Sequence, residues 1–214
     1  MIRTLWRNKI LVLFIIALLV LFPAASIQPS QMLSRAVFVS VGIDYVNGEY
    51  VVTGMVAVNE FEPFADPTAS KPVSATGETV RDALDNIRGN EGRKPSFSHC
   101  NLIVLGDGLR DKNVADVLGV FFRDYRIGNN VLLIYTEDDI MELLEISKEF
   151  RTESPGGLLE TIAIFNKTAT IDDFFKEYLR GNSPVSISIV NTNDGALDNT
   201  REWAVFVDGY LLSS

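Results

Sequence analysis

Thirteen apolar residues run without a break from Ile10 to Phe22, led by Arg3, Arg7 and Lys9 with no acid among the first nine residues. As a helix, such a stretch rises about 20 Å, short of the roughly 30 Å hydrocarbon core of a bilayer. Counting the flanks from Thr4 to Ser26 reaches a spanning length, with Arg7 and Lys9 snorkelling to the interface. The stretch also has the layout of a cleaved signal peptide, with Ala24 and Ser26 at the small-residue positions. Pro23 sits next to that cleavage site, so a retained anchor is the favoured reading. A buried core helix is the third reading, disfavoured because the run has no polar face. Export leaves the basic end in the cytoplasm and puts the body outside. The expected organisation is therefore an anchor or signal segment over residues 1–26, a tether over 27–35 and an extracytoplasmic domain over 36–214. The protein would be held to the membrane by its N-terminus, or secreted after cleavage near Ala25 or Ser26.

That body is acidic. Setting aside the three leading cations leaves 16 basic residues against 28 acidic ones, a charge of about −12. Such a surface repels phosphate backbones and anionic headgroups, which argues against nucleic-acid binding. About 190 residues suffice for a sizeable core without disulfides or metals. The single cysteine, Cys100, precedes the apolar run Leu102-Ile103-Val104-Leu105, and burial is expected for it.

Strand and helix patterns alternate along the body. Ala36 to Ile43 is dense in β-branched residues, Asn47-Gly48 marks a tight hairpin turn, and Tyr50 to Val58 is the return strand. Residues 60–73, with Pro63, Pro67 and Pro72, read as an irregular loop. Val80, Ala83, Leu84 and Ile87 form a helical stripe that Gly89 should stop. A strand is expected over Phe97 to Leu105, then a helix through Val114, Val117, Leu118 and Phe121, with Phe122 widening its stripe. Asn129-Asn130 turns into a buried strand, Val131 to Tyr135. Thr136 is expected to cap the helix that carries Ile140, Leu143 and Leu144, with Asp139 three residues on. Pro155-Gly156-Gly157 precedes a short helix from Leu158 to Asn166. Thr170 caps a helix whose stripe is Ile171, Phe174, Phe175, Tyr178 and Leu179, and Gly181 ends it. A strand over Val185 to Val190 and a hairpin, Trp203 to Val207 then Tyr210 to Leu212 about Asp208-Gly209, close the chain. Hairpins at both ends with βα alternation between them predict an α/β (α+β) fold: a single domain with a mixed β-sheet packed by amphipathic helices, preceded by the transmembrane helix or signal peptide.

The search for chemistry finds little. His99, the one histidine, lies between Ser98 and Cys100 and reads as a structural, hydrogen-bonded residue, because strand neighbours face opposite ways. The acids Glu137, Asp138, Asp139, Glu142 and Glu145 suit a helix start and a wet face better than a metal site. Gly106-Asp107-Gly108 lies between strand and helix but lacks the rest of a phosphate loop. Asn191-Thr192-Asn193-Asp194-Gly195 reads as an exposed loop, and Asn166-Lys167-Thr168 fits a glycosylation acceptor. No catalytic, cofactor-binding or metal-binding residue is assigned, and no enzyme activity is expected.

Four segments resemble the N-terminal domain of the spore-germination receptor C subunits (GerAC type). They are Val41-Gly42-Ile43-Asp44 with Asn47-Gly48; Ser74 to Val80 leading into Ala83-Leu84; Phe97-Ser98-His99 with Ile103 to Gly106 and Phe121 to Asp124; and Trp203 to Phe206 with Tyr210-Leu211. The resemblance spans residues 36 to 212. It implies a membrane-tethered, outward-facing, non-enzymatic subunit or interaction module. Such a subunit acts with integral-membrane partner subunits of the germinant-receptor type in nutrient-triggered germination, and residues 4–26 would contact the lipid bilayer. Two departures stand out. Pro23-Ala24-Ala25-Ser26 replaces the family's lipobox cysteine, so a retained helix rather than a lipid anchor is expected. The family's C-terminal domains would begin where this sequence stops. The alternative function is an extracytoplasmic module that binds a small ligand, which would require a concave pocket with convergent polar groups.

Overall fold

The computed structural model describes residues 35–57, 70–91, 94–124, 127–149 and 157–213. The chain divides into two units, Met1–Arg35 and Ala36–Ser214, and the second is described below. The expected anchor and the tether up to residue 34 lie outside the described residues. Among those that are described, no helix is long and apolar enough to cross a membrane.

Nine strands form one mixed sheet in the order β11-β10-β7-β6-β5-β1-β2-β3, with β4 beside β1. Their ranges are β1 Arg35–Val46, β2 Glu49–Ala57, β3 Ser70–Gly77, β4 Lys94–Ser96, β5 Leu102–Gly106, β6 Leu132–Thr136, β7 Val185–Ile189, β10 Trp203–Val207 and β11 Tyr210–Ser213. A separate hairpin pairs β8 Asn191–Asn193 with β9 Ala196–Asp198. The centre, β1-β5-β6-β7, is parallel. Antiparallel pairs flank it on both sides: β2 and β3 beyond β1, β10 and β11 beyond β7. The mixed sheet with terminal hairpins is the architecture the residue patterns predict. At Asn47-Gly48 both turn residues take positive φ, 54° and 91°, as a tight primed turn requires.

Alternation along the strands sorts the core into two layers. Ile103, Leu105, Leu133, Tyr135 and Ile187 face helices α1 (Val80–Glu91), α2 (Val114–Asp124) and α5 (Ile171–Arg180). Leu102, Val104 and Ile134 face α3 (Ile140–Glu149) and α4 (Gly157–Asn166) on the other side. Ile140 of α3 lies directly over Gly42, where any Cβ would overlap it.

A wedge opens the amino ends of β6 and β7. The Leu133 amide donates to the Ala169 carbonyl at 3.0 Å and the Ile171 amide to the Val131 carbonyl at 2.8 Å. Thr168, buried at the tip, donates its hydroxyl to the Leu133 carbonyl at 2.6 Å and accepts from the Ser188 amide at 2.9 Å. One side chain thus replaces the ladder bonds that the separated strands cannot make to each other.

Several local expectations are corrected. The end of the expected loop, residues 70–73, belongs instead to the strand Ser70–Gly77, which is paired along its length with β2. Pro72 is tolerated there because β3 is an edge strand. The strand expected from Phe97 begins only at Leu102, after a turn through Ser98 and His99. Gly89 does not stop α1, which runs on to Glu91. The α3 cap is Asp139, whose Oδ1 accepts from the Glu142 amide at 2.9 Å, and not Thr136. The polar segment at Asn191 is a hairpin with Asp194-Gly195 in positive φ, not an open loop. Thr170 does cap α5, in a reciprocal capping box with Asp173. Leu179 of the α5 stripe is nevertheless 81% exposed, because only the first two turns of that face meet the sheet.

Candidate interaction surface

The carboxyl ends of β1, β5 and β6 lie side by side, the place where open α/β sheets commonly hold ligands. Here the crevice is filled by the protein's own groups. Asp44, half-buried at the end of β1, accepts from the Tyr45 amide at 2.8 Å and the Gly108 amide at 2.9 Å. Burial pushes its carboxyl up, Asp107 and Asp139 add to the rise, and the two amides oppose it. Burial also acts to raise Asp107. The Tyr135 hydroxyl and then Arg110 outweigh that effect, so its carboxyl sits below the usual range. Arg110 pairs with Asp107 at 2.7 Å and reaches Glu137 at 3.6 Å. The Tyr135 hydroxyl is pushed up, first by burial and then by its bond to Asp107. Chemically, this is a clamp on the Gly106-Asp107-Gly108 turn.

The acid cluster that follows is equally occupied. Asp138 Oδ2 accepts from the Thr192 amide at 2.6 Å, which ties the β8–β9 hairpin down, while Asp139 caps α3. Glu142 and Glu145 are exposed. Among the described residues, no group of three or more His, Cys, Asp or Glu side chains is placed to hold a metal ion.

The structure does not bring Ser98, His99 and Cys100 together. His99, expected to be a structural residue, is exposed on a turn. Cys100 is buried as expected, donates to the Leu102 carbonyl at 3.3 Å, and burial pushes its thiol up to about 12. The glycosylation reading of Asn166-Lys167-Thr168 fails on geometry. The Asn166 amide donates to Ser188 Oγ at 2.7 Å and to Asn199 Oδ1 at 2.8 Å, and Thr168 is internal. The groove lined by Lys167, Asp173, Glu177, Ser186 and Trp203 encloses about 570 Å³ but lies open to solvent. It has none of the enclosure that a small-ligand site needs.

What the surface does offer is apolar area at the last hairpin. Leu212 is 72% exposed, Tyr210 50% and Trp203 38%. Val205 and Val207 lie between them on the same face of β10, half-buried. Phe165 of α4, 68% exposed, sits beside this face with the Arg201 guanidinium 5.7 Å above its ring. A contiguous patch of this kind marks a protein contact more often than a chemical site.

A family model described as the spore germination protein N-terminal domain matches residues 30–190. The chain belongs to this family. Comparison with curated proteins finds no match. The crystal structure of the GerBC protein is similar at 18% identity and a TM-score of 0.40, over 80% of this chain and 50% of that chain. This chain thus spans about half the length of that protein.

Within the spore germination protein N-terminal domain, the segments that carry the sequence resemblance turn out to be packing devices. Gly42 lies under Ile140, Gly77 against the start of α1, and Gly106 against Asp44, each too close for a Cβ. Phe97 packs between Phe38 and Phe121, at ring-centroid separations of 4.9 and 5.3 Å. The closing hairpin at Trp203 lies outside the matched residues. Its exposed outer face is a feature that alternation could have disclosed in the sequence, because apolar residues there do not alternate with polar ones.

Proposed function

We propose that this chain is a membrane-tethered, extracytoplasmic, non-enzymatic subunit that works with integral-membrane partner subunits in nutrient-triggered spore germination. Family membership over residues 30–190 carries the reading. The basic-led apolar run from Ile10 to Phe22 supports the tether and the outward location. The hairpin face supports a role in protein contacts, and the self-filled crevice at Asp44 and Asp107 leaves little room for a substrate there.

Two measurements test this in the sporulating host. Deleting the coding sequence should slow nutrient-triggered germination while germination triggered by non-nutrient means stays normal. Protease added to intact protoplasts should digest the body while sparing a cytoplasmic control. Normal germination kinetics in the deletion strain would refute the role, and a protected body would refute the topology.

A further inference from the structure

Between β6 and β7 the parallel centre of the sheet is only half closed. The two strands pair at Ile134↔Ser188 and Tyr135↔Ile189, towards their carboxyl ends. At its amino end β6 is served by the segment after α4 instead, through a bridge between Leu132 and Thr170. The facing edge of β7 is left there without a strand. Amide directions alternate along a strand. The Ile189 amide donates to the Glu202 carbonyl at 3.0 Å, on the β10 side. The Ser188 amide donates to Thr168 Oγ1 at 2.9 Å and the Val190 amide to the Tyr135 carbonyl at 3.0 Å, on the β6 side. Ser186 is in phase with Ser188, so its N–H and C=O point into the gap. Among the described residues neither group has a hydrogen-bond partner, and Ser186 is exposed. The gap is the open groove of about 570 Å³, with Lys167 and Thr168 on one wall and Ser186 on the other.

We propose that this groove takes an extended, basic segment of a partner protein, which adds to the sheet as a strand beside the amino half of β7. Main-chain chemistry selects this occupant. A donor and an acceptor from one residue, aimed the same way off a strand edge, match the acceptor and donor of an extended chain. Such a chain needs no enclosure, because its main chain is held from one side and its length continues past the groove. Charge narrows the choice. The lining sets Lys167 against Asp173 and Glu177. The body around it carries about −12, so basic side chains are favoured. Both carboxylates are already bonded within the protein, Asp173 to Thr170 and Glu177 to Ser183 and Arg180. Charge therefore steers the segment in, and the main chain holds it. Side chains of an added strand alternate across the sheet, and Trp203 on the rim offers one face an apolar contact. The germination reading is not needed for this inference, because its test measures amide exchange rather than a phenotype.

The experiment uses the full chain, isotope-labelled and extracted in mild detergent, with amide exchange followed by NMR. The probe is a short peptide of alternating lysine and valine, blocked at both ends, at up to about 1 mM. In the free chain the Ser186 amide should exchange much faster than the Ser188 amide. Adding the peptide should slow Ser186 exchange at least about tenfold. The same peptide N-methylated throughout cannot donate from its main chain and should bind at least about tenfold more weakly. Ser186→Pro removes the open N–H without breaking a ladder bond, and should weaken peptide binding about fivefold with an unchanged circular dichroism spectrum. A Ser186 amide already protected in the free chain overturns the inference. So does a peptide that fails to bind, that binds without slowing Ser186 exchange, or that binds as well when N-methylated. Protection that grows with protein concentration in the absence of peptide assigns the groove to a second copy of this chain, and overturns the partner segment.

Discussion

Replacing Thr168 by valine isolates the wedge between β6 and β7. Valine has nearly the shape of threonine, so no cavity opens and the change is confined to hydrogen bonding. The native hydroxyl donates to the Leu133 carbonyl at 2.6 Å and accepts from the Ser188 amide at 2.9 Å, both in the interior. Valine leaves one buried acceptor and one buried donor unpaired. Each orphaned group costs about 1–3 kcal/mol, so the pair should cost about 3 kcal/mol, with the amide the larger share. In a domain of this size, each kcal/mol lowers the melting temperature by roughly 2–4 °C, which puts the expected drop near 10 °C. Thermal unfolding of the full chain, followed by circular dichroism, measures it. Thr168→Ser keeps the hydroxyl and should lose only about 1 kcal/mol for the methyl. A valine variant within about 0.5 kcal/mol of the wild type would refute the bridging role, as would a serine variant less stable than the valine one.

Three further outcomes follow from the carboxyl-edge clamp and the core. In Asp44, burial holds the folded-state pKa above the unfolded one, so its contribution to stability is full below about pH 4 and is lost as pH rises through the folded value. Asp44→Asn keeps the acceptor for Gly108 and has no charge to bury. Its stability relative to wild type should improve as pH rises above about 4, and denaturant titrations showing the opposite trend would sink the assignment. Gly108→Ala would drive a methyl group into the Tyr45 carbonyl and should cost about 2 kcal/mol or more, read from the shift in urea midpoint. Cys100 should resist alkylation in the native state at about pH 8 and react readily in urea, and comparable rates in both states would contradict its burial.

Elements whose signals are local were legible in the chain. The Asn47-Gly48 turn, the Thr170 cap and the stripes of α1, α2 and α5 each depend on residues within a turn or two of one another. Those that sequence reasoning misplaced depend on distant partners. Ser70–Gly77, with a lysine and a proline near its start, becomes a strand only because β2 provides a ladder along its whole length. The Asn191 segment becomes a hairpin because Asp138, 54 residues earlier, accepts from Thr192. Thr136 and Asp139 are both plausible caps by composition, and only the path of α3 selects Asp139.

The same division applies to the candidate surface. Sequence alone determined a mixed α/β body, an acidic charge about −12, one buried thiol and a last hairpin apolar at nearly every position, because composition and periodicity are properties of the chain itself. Tertiary structure alone decided which face of that hairpin stays open and that the Asp44–Asp107 crevice is filled from within. It also decided that Asn166 and Thr168 are spent inside the fold. Exposure and hydrogen-bond partnership are set by residues far apart in sequence, and they exist only once the sheet has formed.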